Sequence, residues 1–257
     1  MNYNNILSEV KEGICYITIN RPKQLNALNG ATIAELNQAI ITADNDKYVR
    51  CIILTGADTK AFVAGADIKE FAAFDEKEGK NLARKGQELL FDLLENASTP
   101  SIAAVNGFAL GGGLELAMAC HIRIASDNAK MGLPEVSLGV IPGYGGTQRL
   151  ASLVGKGKAI EMITTAGMLS AVEAKEWGLV NHVCTQEELI PMAEKIASRM
   201  KRNSPMAIAK AIKSVNAGFT DGVNGFEVEI LEFGSCFETP EFIEGTTAFM
   251  EKRKANF

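Results

Sequence analysis

Histidine is nearly missing from this chain, with 2 residues in 257, and there are only one Trp and 7 Pro. No continuous apolar run approaches the ~18 residues that a membrane-spanning helix requires. Cysteine is sparse, odd in number and scattered: Cys15, Cys51, Cys120, Cys184 and Cys236, with no C-x-x-C pair. That scatter excludes the usual zinc frameworks and points to free thiols in a reducing, cytoplasmic compartment. The first residues carry neither a basic n-region nor an apolar h-region, so no secretory signal is read there. So few prolines exclude a collagen-like or low-complexity chain. A net charge of only −5 with 47% hydrophobic residues excludes a disordered one. A pI near 5.3 argues against a dedicated nucleic-acid binder.

The shortage of histidine also limits mechanism. A Ser-His-Asp enzyme would have to use His121 or His182. His121 follows the apolar stretch 116–120, and His182 sits in the strand-like run 179–183. Both read as structural or surface residues. If the chain is an enzyme, its acid–base work falls to carboxylates.

What is present is an alternation of strands and helices. Ile14 to Ile19 alternates across two faces and is rich in β-branched residues, as a strand is. Asn29 caps a helix expected over 30–43, with Ile33, Leu36, Ile40 and Ile41 on one stripe. Residues 51–55 read as a buried strand, 56–71 as a loop, 75–94 as one long helix and 102–105 as another buried strand. This order argues for an α/β fold with largely parallel pairing. Beyond about Gly145 strand signals fade. Ser170-x-x-Glu173 and Thr185-x-x-Glu188 read as capping boxes. Thr239-Pro240 reads as an N-cap and first helical residue. Helices are expected over 190–202, 205–215, 223–237 and 240–254. At this length one large core with a helical appendage is expected rather than two equal domains.

Three glycine-rich segments carry the candidate chemistry. The first, Ala64-Gly65-Ala66-Asp67-Ile68-Lys69, has small residues that let a ligand approach the backbone, although taken alone an ordinary tight turn is the favoured reading. The second runs from a buried strand into Gly111-Gly112-Gly113 and then a helix starting near Gly112. Its free backbone donors suit either a phosphate or a developing oxyanion. Neither G-x-G-x-x-G nor the P-loop pattern is satisfied there. Within it Glu115 is flanked by apolar residues from Leu114 to Ala119. It is either a helix-start Glu favoured by the dipole or a carboxyl in a desolvated pocket, tuned for proton transfer. The third segment holds Leu133-Pro134-Glu135 and then Pro142-Gly143-Tyr144-Gly145-Gly146-Thr147. Glu135 lies twenty positions after Glu115 and is either a solvent-facing turn residue or its partner. Two carboxyls beside a donor-rich turn could hold a water between them, one taking a proton and the other supplying one.

Taken together, these segments resemble the crotonase (enoyl-CoA hydratase/isomerase) family over nearly the whole chain. The resemblance rests on Asn20-Arg21-Pro22, Asn26-Ala27-Leu28, the run 64–68, Ala104-Val105-Asn106-Gly107, the run 110–113, Pro134-Glu135, the run 142–147 and the C-terminal run 249–254. Each piece is weak alone, and their order is highly specific. The resemblance implies a spiral of repeated β-β-α turns over 1–195 and a C-terminal helical region over 196–257 that mediates trimerisation, with trimers pairing into hexamers. It implies an oxyanion hole from the N–H groups of Ala66 and Gly112, and Glu115 and Glu135 as the catalytic pair. Gly143 matches a glycine beside the bound water. Leu25, Ala27, Ala64, Ala66, Asp67, Ile68 and Lys69 match coenzyme A-site segments, and Lys252 resembles a C-terminal lysine that reaches the coenzyme. The implied reaction is hydration of a trans-2-enoyl-CoA. No metal or redox cofactor is implied, coenzyme A being part of the substrate.

Both glutamates are present, which favours a hydratase over a 3,2-enoyl-CoA isomerase relying chiefly on Glu135. An RNA-binding relative would need a basic face. Lys195, Arg199, Lys201 and Arg202 cluster on one expected helix, and the acidic total makes this a solvated surface. Leu133 stands where many hydratases carry Gln, which bears on pocket polarity and acyl-chain length. Tyr144 is expected to narrow the acyl pocket.

Overall fold

The computed structural model describes residues 3–257. Its centre is a six-stranded sheet in the order β1 (Ile6–Lys11), β2 (Ile14–Ile19), β3 (Cys51–Gly56), β5 (Ser101–Val105), β7 (Ile122–Ser126) and β10 (His182–Cys184). Only β1 and β2 pair antiparallel; the rest of the sheet is parallel. The near-continuous apolar strands follow from cover on both faces. Ile17, Ile19, Ile52, Leu54, Ala103, Val105 and Ala125 point into the larger core, and Ile14, Cys51, Ile53, Ile102, Ala104 and Ile124 into a second one. Helix α8 (Leu189–Met200) covers the second core, burying Leu189, Ala193 and Ala197 at intervals of four.

A second, four-stranded sheet runs β4 (Ala61–Ala64), β6 (Phe108–Leu110), β8 (Lys130–Gly132) and β9 (Met168–Ser170). The chain alternates between the sheets and then enters a helix: β3, β4 and α2 (Glu76–Gly86); β5, β6 and α4 (Gly112–Ala119); β7, β8 and α5 (Gly146–Val154). These are the repeated β-β-α turns of the expected spiral. The sheet change from β5 to β6 takes two residues. Asn106 there donates to the Gly56 carbonyl (2.8 Å) and accepts from the Gly56 N–H (3.1 Å), while a Cβ on Gly107 would sit 2.3 Å from the Lys60 carbonyl. Those two motif residues serve the turn.

Helix α1 (Gly30–Asp44) begins where expected, with the Asn29 side chain accepting from the Thr32 N–H at 2.8 Å. Ser170 and Thr239 cap α7 (Ala171–Glu176) and α11 (Pro240–Met250). Between them lie α9 (Pro205–Ala217) and α10 (Gly225–Cys236), with α6 (Lys156–Thr165) following α5 earlier in the chain.

Several expectations are corrected. The loop expected over 56–71 contains β4, and β9 lies beyond Gly145, strands of three or four residues being too short to show a period; β10 falls at the strand-like run around His182. The long helix over 75–94 is interrupted by a π turn, Gln87–Phe91, before α3 (Asp92–Glu95). Thr185 caps nothing, because α8 starts at Leu189 with Glu188 at its N-cap position. Helix α11 stops at Met250, short of Lys254, and Lys252 takes a left-handed φ of 55°. The boundary expected at 195/196 falls inside α8, whose apolar face belongs to the sheet; the separate helices begin at α9.

Candidate active site

The parallel pairing of β4, β6 and β8 in the second sheet, with β9 antiparallel at its edge, assembles the site. Ala64 in β4 pairs with Leu110 in β6, and Leu110 pairs with Gly132 in β8, so three strands end level with one another. Two residues beyond the first two ends come Ala66 and Gly112, and three beyond the third comes Glu135. Ligands favour such crevices at the carboxyl ends of parallel strands. A cavity of about 570 Å³ opens there, bordered by Ala64, Ala66, Ile68, Gly112, Glu115, Glu135 and Gly143. Its remaining wall is largely apolar. Leu82 and Ala83 of α2 form one side, and Leu138, Val140 and Ile141 lie exposed at its margin.

Two backbone donors border this space. Ala66 forms a short bridge to Leu28, made by the Gly65 carbonyl accepting from Leu28 (2.9 Å) and the Asp67 N–H donating to Leu28 (2.7 Å). The Ala66 N–H takes no part in it. Gly112 is the first residue of α4, and its N–H is among those a helix leaves without an intrahelical acceptor. Gly111 enters α4 with φ of +52°, and a Cβ there would lie 2.9 Å from Glu135 Oε1.

Glu115 sits in the first turn of α4 and is 1% exposed. Its Oε1 accepts from the Tyr144 N–H and the Gly146 N–H, each at 2.8 Å. A Cβ on Gly146 would lie 2.7 Å from that oxygen, so glycine is required there. Burial first and the Glu135 carboxylate second push the Glu115 carboxyl up to about 7; the two N–H donors and Arg149 pull the other way. Burial also raises Glu135, whose buried Oε2 has no hydrogen-bond partner. A buried acceptor left bare is costly unless something occupies the cavity beside it. Both carboxyls thus disfavour ionisation, and the Glu135 charge adds to the rise at Glu115.

The turn carrying these donors is fixed from behind. Tyr144 stacks on Phe91 with ring centroids 4.7 Å apart and lies against Gly86, where a Cβ would be 2.2 Å from its ring. Arg149 Nη1 donates to the Tyr144 carbonyl (2.8 Å), and the guanidinium pairs with Asp92 (2.8 Å) and Glu95 (2.6 Å). Among the described residues no three His, Cys, Asp or Glu side chains gather as a metal site. No helix there is long and apolar enough to cross a membrane.

Residues 9–257 match the sequence pattern of the family described as Enoyl-CoA hydratase/isomerase. The chain belongs to this family. It is similar to a crotonyl-CoA hydratase of Syntrophomonas wolfei, 47% identical over 100% of this chain and 99% of the relative. A short-chain-enoyl-CoA hydratase of Clostridium acetobutylicum is also 47% identical, over 99% and 97% of the two chains. Among solved structures, an enoyl-CoA hydratase from Bacillus anthracis superposes with a TM-score of 0.92 at 38% identity, covering 99% of each chain.

Of the residues singled out from the family resemblance, Leu25, Ala27, Asp67, Lys69 and Lys252 do not border the cavity. Asp67 turns away to pair with Arg21 at 3.2 Å, and the same guanidinium holds the Ala27 carbonyl. Leu25 takes a left-handed φ of 50° and gives its carbonyl to the Ala64 N–H. Lys69 and Lys252 are exposed. Leu133 also corrects an expectation: it is fully buried in the larger core and does not set the polarity of the cavity. Tyr144 does border the cavity. His121 is structural, accepting at Nδ1 from the Ser101 N–H (2.9 Å) with Nε2 against the Glu95 carbonyl (3.0 Å). Sequence reasoning missed Arg149, Gln87 and Phe91, because nothing in their own segments shows which turn they support.

Proposed function

We propose that this chain is an enoyl-CoA hydratase, adding water reversibly and syn to a trans-2-enoyl-CoA to give a 3-hydroxyacyl-CoA. The observation carrying this reading is two carboxyls, Glu115 and Glu135, facing one mostly apolar cavity that two backbone donors also border. The names of the two relatives favour a short-chain substrate such as crotonyl-CoA.

In this reading the thioester oxygen is held by the Ala66 and Gly112 N–H groups, and Gly143 leaves room for a water between the carboxyls. With one carboxyl ionised and the other protonated, the pair supplies one base and one acid in the same space. The ionised carboxylate takes a proton from water as its oxygen bonds to C3. The C2=C3 electrons move onto the thioester oxygen as an enolate, and the protonated carboxyl then delivers its proton to C2. Loss of one donor to such an oxygen costs about 3–4 kcal/mol of barrier. No resident cofactor is required; coenzyme A arrives with the substrate. We assign its contacts to Ala64, Ala66 and Ile68 at the cavity and, outside it, to Leu25, Ala27, Asp67, Lys69 and Lys252. We further propose assembly as a homotrimer or a dimer of trimers through α9–α11, in the cytoplasm, where the free thiols would remain reduced.

The test is the ultraviolet absorbance of crotonyl-CoA, which should fall on adding purified protein. No turnover of any short or medium 2-enoyl-CoA would overturn the assignment. Double-bond migration that survives Glu115→Gln would indicate the isomerase instead.

A further inference from the structure

The π turn between α2 and α3 aims a side chain at the catalytic apparatus from outside the cavity. Gln87 Nε2 donates to the Gly143 carbonyl at 2.7 Å. That carbonyl shares its peptide unit with the Tyr144 N–H, which donates to Glu115 Oε1 at 2.8 Å. One rigid, planar group therefore links Gln87 to Glu115. Hydrogen bonds in such a chain polarise one another, each strengthening the next.

The interruption in the helix makes this alignment. The Asp92 N–H bonds to the Gln87 carbonyl, five residues back. Gly86 and Phe91 both meet the Tyr144 ring. Five positions in an uninterrupted α-helix are about 140° apart around the axis, so one ring could not face both. Asn37 of α1 donates to the Leu89 carbonyl at 2.6 Å inside the turn, supporting a segment with irregular bonding. Gly86, Gln87, Phe91, Asp92 and Glu95 then all bear on the 143–149 segment.

We propose that Gln87 is a positioning residue that, through the Gly143–Tyr144 peptide, fixes Glu115 and favours its ionised form. This rests on the reading of Glu115 as an acid–base group. Gln87 does not border the cavity and acts only through the peptide. The elements packed against α4 supply few other charges. Facing Glu115 are the Glu135 carboxyl, the Tyr144 phenol and Arg149, the last paired with Asp92 and Glu95. Strands β4 and β6 carry no charged residue, and Glu88 in the π turn is exposed.

Gln87→Met keeps the length and removes the donor. With the Tyr144 N–H less polarised, the Glu115 anion is less stabilised and its ionisation moves to higher pH. The expected result is a pH–kcat limb displaced upward by about half a unit, with kcat down roughly fivefold and KM changed less than twofold. A purely structural Gln87 would lower activity and melting temperature with the limb in place, which overturns the proposal, as does an unchanged profile. Carbon-13 NMR of the Glu carboxyls reads the same titration without turnover, with Glu115→Gln identifying the Glu115 signal. If wild type does not hydrate crotonyl-CoA, the functional reading fails. A Glu115 signal unmoved by Gln87→Met sinks this inference separately.

Discussion

Helices α4 and α10 obey different rules. Every residue of α4 is buried and none of α10 is. Helix α4 is held by sheets and neighbouring helices on all sides, so a single polar group placed in it, Glu115, is sharply perturbed. Helix α10 instead presents Phe226, Ile230, Leu231 and Phe233 outward, and Phe249 and Met250 at the end of α11 are also exposed. Phe226 is 82% exposed. Exposed apolar clusters of this kind mark interaction surfaces. The spiral body thus completes its own core, while α9–α11 leave theirs unfinished, and chemistry is placed in the completed part.

The sharpest way to break this contrast is Glu115→Gln, which should lower hydration by about 10²- to 10⁴-fold in steady-state assays. The amide oxygen can still accept from Tyr144 and Gly146, so the fold should survive. Burial raises the Glu115 carboxyl from 4.5 toward about 7, so the native state favours the proton. Native stability is therefore full below about pH 4.5 and falls as pH rises through about 7. The variant should lack that fall and be more stable than wild type at pH 8, by about 3 kcal/mol of unfolding free energy. Equal melting across that range would show that Glu115 ionises without penalty.

Phe62 is fully buried in the larger core, and Phe62→Ala should cost the body about 3–5 kcal/mol in denaturant unfolding. The same change in α10 should behave oppositely. Phe226→Ser should alter the unfolding of an isolated protomer by no more than about 0.5 kcal/mol. If α9–α11 form the proposed subunit contact, it should also lower the mass seen by light scattering; an unchanged mass would overturn that proposal.

Much of this was legible in residue order. Glu115 stood out as a charge inside an apolar run, and the caps at Asn29, Ser170 and Thr239 were readable because capping is local. The short strands β4, β6 and β8 were not, since three or four residues show no periodicity, although these strands build the site. Leu133 was misjudged because its neighbours in sequence border the cavity while its own side chain turns into the core. Asp67, next to Ala66, likewise turns away to Arg21. Adjacent residues can face opposite directions, and only their packing says which.

The sequence alone determined the chemical inventory: carboxylates rather than histidine, glycines where a Cβ would collide, and scattered thiols. Tertiary structure decided how that inventory became a site. Parallel strands β4, β6 and β8, ending level, bring residues 66, 112 and 135 to one cavity, and burial there raises the proton affinities of Glu115 and Glu135. The Gln87 and Arg149 contacts to one turn arise the same way, because desolvation and hydrogen bonding depend on neighbours in space.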